Sequence, residues 1–211
     1  MRITRTVTAA GLAASLSLIA TSALAVPIEL FNTGVDSSGT VLADGANDPN
    51  YAILSPAQQA VVINESEIPG TWLDNDSTSR WIWQTNTGDP TNVTLTFRTT
   101  FDLTGLDPDT AEINGRWAVD NGGDDILLNG ASTGITNNNG FTSFTDFTLT
   151  AGFQAGLNTL DFVVRDAGFI AGFRAELSGT ADEIGAVVPL PAGLPMLVAA
   201  LAGLSLLRRK A

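Results

Sequence analysis

The stretch NVTLTFRTTFDL, residues 92–103, decides the fold class because its apolar residues recur at every second position. A period of two places the apolar and polar sets on opposite faces of an extended strand. One face then lies against a core and the other meets water, which predicts a half-buried antiparallel β-strand. The inward set is Val93, Leu95, Phe97, Phe101 and Leu103, and the outward set is Thr94, Thr96, Arg98, Thr100 and Asp102.

Three later segments repeat this alternation: AEINGRWAVD at 111–120, LDFVVRD at 160–166 and FRAELS at 173–178. Turn-forming residues separate them, as in LDPD at 106–109 and NNNG at 137–140. Short alternating strands between such turns are typical of an all-β chain. We therefore predict an antiparallel β-sandwich or jelly roll of eight to ten strands. The alternation also places four arginines and Asp120 on outward faces, the arginines being Arg98, Arg116, Arg165 and Arg174.

The segment from about residue 95 to 180 resembles the galactose-binding-like jelly roll, the sugar-binding domain of many glycoside hydrolases. The resemblance lies in an acidic turn at 120–125, Leu-Asn-Gly at 128–130, the pair Phe141 and Phe144, and GLNTL at 156–160. It implies a jelly-roll fold and favours carbohydrate contact. These motifs are largely turn formers, and Asn129-Gly130 equally suits a tight hairpin turn.

The first 25 residues have the features of a secretory signal peptide. Arg2 and Arg5 precede an apolar run at 7–19, and Ala23 and Ala25 form a small-x-small cleavage site for signal peptidase. The run is shorter than the ~20 residues needed to span a bilayer. We therefore expect export and a mature chain that begins near Val26.

The C-terminal segment at 190–207 has 18 residues without a charge. As a helix it rises about 27 Å, slightly less than a ~30 Å hydrocarbon core, so it predicts a marginal transmembrane helix. Arg208, Arg209 and Lys210 follow it directly, and such cations favour a cytoplasmic end. The chain thus divides into a signal peptide at 1–25, a β-sandwich domain at 26–183 and a C-terminal segment at 184–211.

The same C-terminal segment resembles a sorting signal. It contains Val188, Pro189, Leu190, Pro191 and Ala192, followed by the apolar helix and the cationic end. That order is similar to the VPLPA type of PEP-CTERM signal, which exosortases read in Gram-negative bacteria that make extracellular polysaccharide. The resemblance implies transient anchoring in the inner membrane, cleavage near the proline motif, and release or transfer to the cell surface. A plain single-span tail anchor is the alternative.

Charge and composition exclude several classes of function for residues 26–186. This region holds five of the ten cations and all 22 acids, five against 22, for a net charge of −17. Such a surface repels nucleic acid and attracts divalent cations or basic partners. The chain has no His and no Cys, which excludes Ser-His-Asp and Cys-His sites and His-ligated zinc. A carboxylate pair could still hydrolyse a glycoside, but we expect no enzyme.

Two groups of residues are candidate binding sites. In the acidic turn, Asp120, Asp124 and Asp125 suit the oxygen ligands of Ca²⁺, with a solvated turn as the alternative. The stretch TWLDNDSTSRWIWQ, residues 71–84, holds Trp72, Trp81 and Trp83. Exposed indoles could stack on sugar rings while polar neighbours bind the hydroxyls. The candidate sugar-binding residues are Trp72, Trp81, Arg80, Asp74 and Asp76.

The alternative for these tryptophans is the sandwich core. We expect at least one of Trp81 and Trp83 to be buried, Trp83 more than Trp81, and Trp117 to be buried as well. The sequence as a whole predicts an exported surface or matrix protein with a non-catalytic module that contacts extracellular polysaccharide. A structural spacer without a small ligand and a calcium-dependent adhesin are the alternatives.

Overall fold

The computed structural model describes residues 25–185 apart from residue 139. In this part of the chain the protein is all-β, as predicted, and its only helical elements are two 3₁₀ turns at Glu65–Glu67 and Pro108–Thr110. No helix among the described residues is long and apolar enough to cross a membrane. Several predictions fall outside the described residues. They are the signal peptide with Ala23, the VPLPA motif at 188–192, the transmembrane helix at 190–207, and the cations Arg208, Arg209 and Lys210.

Eleven strands occur in the described residues, and two of them are only two residues long. In chain order they are β1 (Ala25–Pro27), β2 (Asn47–Leu54), β3 (Ala57–Val62), β4 (Ile82–Trp83), β5 (Thr94–Asp102), β6 (Glu112–Asp120), β7 (Gly122–Leu128), β8 (Ala131–Ser132), β9 (Thr145–Leu149), β10 (Leu157–Arg165) and β11 (Gly172–Asp182).

The strands form one continuous hydrogen-bonded path in the order β8-β7-β10-β5-β2-β3-β4-β11-β6-β9, with β1 beside β11. Each described pair is antiparallel. Rings from distant strands of this path meet: Phe173 of β11 lies 4.9 Å from both Phe97 of β5 and Phe162 of β10. The half that contains β5 and β10 therefore faces the half that contains β6 and β11. The result is a β-sandwich-like arrangement around an aromatic core.

The alternation that predicted β5 is confirmed in the structure. Leu95, Phe97 and Phe101 are buried, and Thr100 and Asp102 are exposed. The inward residues predicted for β10 are buried too, as are Trp117 of β6 and the first inward residues of β11. Apolar side chains at every second position leave water together when the two halves close, which stabilises this register over one shifted by a single residue.

Two outward predictions are wrong. Arg174 of β11 is 1% exposed, because the segment at residues 74–80 covers its side of the strand. Asp120, at the end of β6, is 6% exposed. The last four residues of β6 are all buried, so the strand is covered on both faces where it reaches the loops. Alternation identifies the face of a residue but not whether another segment covers that face.

Candidate functional site

The outer face of strands β11, β6 and β9 carries a groove of about 560 Å³ with both polar and apolar lining residues. Antiparallel register brings side chains of the three strands into two rows across the sheet. One row contains Glu176, Arg116 and Asp146, and the other contains Ser178, Asn114 and Thr148. These six residues line the groove together with Asn32 and Thr78 at its border. We refer to this surface as the outer groove.

Hydrogen bonds hold the polar groups of the outer groove in fixed positions. The Arg116 guanidinium contacts the Glu176 carboxylate at 2.6 Å, and Ser79 Oγ donates to the other oxygen of Glu176 at 2.7 Å. In the second row, Thr148 Oγ1 donates to Asn114 Oδ1 at 2.7 Å. Polar groups that are ordered before a ligand arrives lose less entropy on binding.

The guanidinium of Arg116 also lies 4.5 Å from the centre of the Phe144 ring. Arg174 approaches the same ring, with its guanidinium carbon 5.1 Å from the centre. Burial lowers the pKa of Arg174, and the charge of Asp76 opposes that shift. Phe144 thus lies beside two cations, and these contacts fix Arg116 at the edge of the groove.

The outer groove offers both hydrogen-bond donors and hydrogen-bond acceptors. Arg116 and the Asn114 amide donate, the exposed Asp146 carboxylate accepts, and the hydroxyls of Thr148 and Ser178 can do either. Such a mixture fits a neutral polyhydroxyl ligand, whose hydroxyl groups also act both ways. The tryptophans do not line this groove, but Phe147 and Leu177 do, so a ligand would meet apolar surface as well as hydrogen-bonding groups.

The predicted tryptophan platform is wrong in its geometry, because none of the three indoles is exposed. Trp72 is 5% exposed, and Trp81 and Trp83 are both 0% exposed, so the expected difference between the last two is also wrong. The rings of Trp72 and Trp81 lie 4.5 Å apart and cover Gly172 of β11. Trp83 packs against Phe97 of the core. Sugar rings have no access to these faces.

The predicted polar neighbours of the tryptophans hold loops in place. Arg80 contacts the carboxylates of Asp44 and Glu65 and donates to the carbonyl oxygen of Leu42. Asp76 contacts the buried Arg174 at 2.8 Å, and the backbone carbonyl of Asp74 accepts from the same guanidinium. Arg80, Asp74 and Asp76 do not line the outer groove.

The three carboxylates of the acidic turn are not brought together. Asp124 pairs with Arg165 at 3.2 Å, and Asp125 accepts from the Gly134 N–H at 3.1 Å. Asp120 is buried and interacts with Asp166 instead. Among the described residues no group of three or more acidic side chains could hold a metal ion. The described residues therefore show no joint site for Asp120, Asp124 and Asp125, and calcium binding by the protein stays a prediction.

Sequence reasoning missed the outer groove, although it placed Arg116 on the outward face of its strand. The groove could have been found by combining the outward polar residues of three strands. That step requires the register that sets Asn114 opposite Ser178 and Thr148, which lie 64 and 34 positions away in the sequence.

Comparisons with known proteins assign no family: no protein-family model matches the chain, and no curated protein matches it either.

Proposed function

We propose that the chain is an exported, non-catalytic module of jelly-roll type, similar to galactose-binding-like domains, that contacts extracellular polysaccharide through the outer groove. The observation that carries the proposal is the double row of ordered donors and acceptors on the open face of β11, β6 and β9. The net charge of −17 at residues 26–186 argues against nucleic acid as the ligand.

A glycan array followed by calorimetry on the purified protein tests the groove. Asn114→Ala and Thr148→Ala each remove one member of the second row and should weaken binding of any glycan at least several-fold, because each hydrogen bond is worth about 1 kcal/mol. Thr100→Ala is the matched control, since Thr100 is exposed on the outer face of β5 in the other half of the molecule. Equal affinity of all three variants would place the glycan elsewhere.

We also propose that export uses the N-terminal signal peptide and that an exosortase removes the C-terminal segment. All described strands lie within residues 25–182, so a cut near residue 189 would leave each of them intact. Pro189→Ala combined with Pro191→Ala should preserve export and block the second cleavage. Pro195→Ala is the control, because it removes a proline of the same segment outside the motif. Mass spectrometry of the surface protein decides, and an unchanged C-terminus in the double variant contradicts the proposal.

A structural spacer of the cell surface is the second candidate, and the burial of the tryptophans favours it. Aromatic rings on an exposed strand are a common way to hold sugars, and here those rings stabilise the core instead. Glycan binding at the outer groove distinguishes the two candidate functions. A spacer binds no glycan at the outer groove, and its groove variants reach the surface in normal amounts.

A further inference from the structure

Two buried carboxylates lie at the end of the sandwich where β6 and β10 enter their loops. The pairing of Asn121 with the end of β10 places their neighbours side by side: Asn121 N–H donates to Arg165 O at 3.0 Å, and Ala167 N–H donates to Asn121 Oδ1 at 2.7 Å. Asp120 precedes Asn121, and Asp166 lies between Arg165 and Ala167. Asp120 is 6% exposed and Asp166 is 4% exposed.

Each carboxylate has one oxygen without a hydrogen-bond partner among the described residues. Oδ1 of Asp120 and Oδ1 of Asp166 are both buried and unpaired. The other oxygen of Asp166 accepts from the N–H groups of Asn92 and Gly168, at 2.6 and 3.0 Å. A buried anionic oxygen without a partner is costly, and two of them close together repel each other as well.

The cations of the described domain do not neutralise this pair. Each of the five arginines there contacts other carboxylates: Arg80 contacts Asp44 and Glu65, Arg98 contacts Asp161, Arg116 contacts Glu176, Arg165 contacts Asp124, and Arg174 contacts Asp76 and Glu176. The described residues contain no lysine or histidine. The charge of the two carboxylates must therefore be balanced by a proton or by an ion from outside the protein.

We propose that Asp120 and Asp166 bind a divalent cation, for which Ca²⁺ is the best fit, and that this ion ties the end of β6 to the loop after β10. Ca²⁺ accepts carboxylate oxygens in irregular geometry and completes its coordination with water, whereas Mg²⁺ demands a near-ideal octahedron. The proposed site uses Asp120 with a partner 46 residues away, and it excludes Asp124 and Asp125. It does not depend on the outer groove or on glycan binding.

Burial and the nearby charge of Asp166 raise the pKa of Asp120 to about 6, and a hydrogen bond from Trp72 partly opposes the shift. Protons compete with any cation for these carboxylates in acid, so the test is run near pH 7.5.

Two measurements on the purified protein, first stripped with EDTA, test the proposal. Ca²⁺ at a hundredfold excess over its Kd should raise the melting temperature by about 5 °C, and Mg²⁺ should raise it less. Tb³⁺, a luminescent substitute for Ca²⁺, should give emission on tryptophan excitation, because Trp72 interacts with Asp120. Added Ca²⁺ should then displace Tb³⁺ and abolish that emission.

Asp120→Asn should remove both the Ca²⁺ shift and the Tb³⁺ emission. Asp125→Asn is the matched control, because it removes one charge from a nearby carboxylate that we place outside the site, and it should keep both signals. If Asp120→Asn does not fold, the Tb³⁺ experiment on the unmodified chain still decides, since absence of saturable, Ca²⁺-displaceable emission overturns the proposal.

Three further results would also overturn it. Equal shifts with Ca²⁺ and Mg²⁺ would indicate general screening of the acidic surface. A Ca²⁺ shift in Asp120→Asn as large as that of the unmodified chain would place the ion elsewhere. A stripped protein that gains no stability from Ca²⁺, and whose gain on acidification shrinks in Asp120→Asn, would show that the two carboxylates share a proton.

Discussion

Asp48 and Asp120 are both buried and both have a pKa raised to about 6, yet their surroundings differ. Both oxygens of Asp48 accept backbone N–H groups, from Gly34 at 2.7 Å and from Asn50 at 2.8 Å. Asp120 keeps one oxygen without a partner, and the negative charge of Asp166 is near enough to raise its pKa. Burial alone therefore does not indicate a ligand. An unsatisfied acceptor does, because the protein has supplied the desolvation without the compensating bond.

The largest effect should come from the buried indoles, of which Trp81 packs against Trp72 beside Asp120. Trp81→Ala should lower the free energy of unfolding by ~3–5 kcal/mol, the usual range for deleting a large core aromatic, and Trp83→Ala should cost as much. Denaturant melts measure both values. A loss below about 1 kcal/mol for Trp81→Ala would show that its cover at this end is loose and would weaken the contrast with Asp48.

Removing the Asp48 carboxylate should lower the free energy of unfolding by less than deleting an indole does. Asp48→Ala leaves the N–H groups of Gly34 and Asn50 buried without acceptors, and we expect a loss of ~2–3 kcal/mol. Asp109→Ala, which removes the same charge from an exposed turn, is the control and should change stability by less than about 0.5 kcal/mol. Equal effects of the two changes would mean that the Asp48 bonds contribute nothing specific.

The pH dependence of stability should also reveal Asp48. Burial raises its folded-state pKa from 3.8 to about 6, so the folded state holds the proton more tightly than the unfolded state does. The resulting contribution is complete below about pH 4 and is lost as the pH rises through about 6, a change of ~3 kcal/mol. Asp48→Asn should abolish this component in melts from pH 4 to 7. A variant curve parallel to that of the unmodified chain would contradict the assignment.

The smallest effect should come from the outer groove, whose polar groups are exposed and bonded to one another. Asn114→Ala should change the free energy of unfolding by less than about 0.5 kcal/mol while weakening any glycan that binds. Thermal melts and calorimetry on the same sample separate the two effects. A destabilisation above about 1.5 kcal/mol would show that the groove is part of the scaffold and favour the spacer function.

The alternation of residues 92–103 was enough to predict β5, its buried face and its polar face. It sufficed because a strand exposes opposite sides at every step, whatever lies beyond it. The same logic failed at Asp120 and Arg174, where a second layer of loop covers the outward side. At Trp81 and Trp83 the prediction that at least one indole is buried is confirmed. The expected partial exposure of Trp81 is wrong, because the strand has no exposed face and Ile82 between the two indoles is buried as well.

Period, turn residues and composition are local properties, and they were enough to predict the all-β class, the positions of the main strands and the exclusion of histidine and thiol chemistry. Which polar residues come together depends on the tertiary structure. Asp120 faces Asp166 and not Asp124, and Asn114 lies between Ser178 and Thr148, because antiparallel pairing joins strands far apart in the chain. Contacts of that kind depend on register and on the folding of one sheet path over itself, and no short stretch of sequence specifies either.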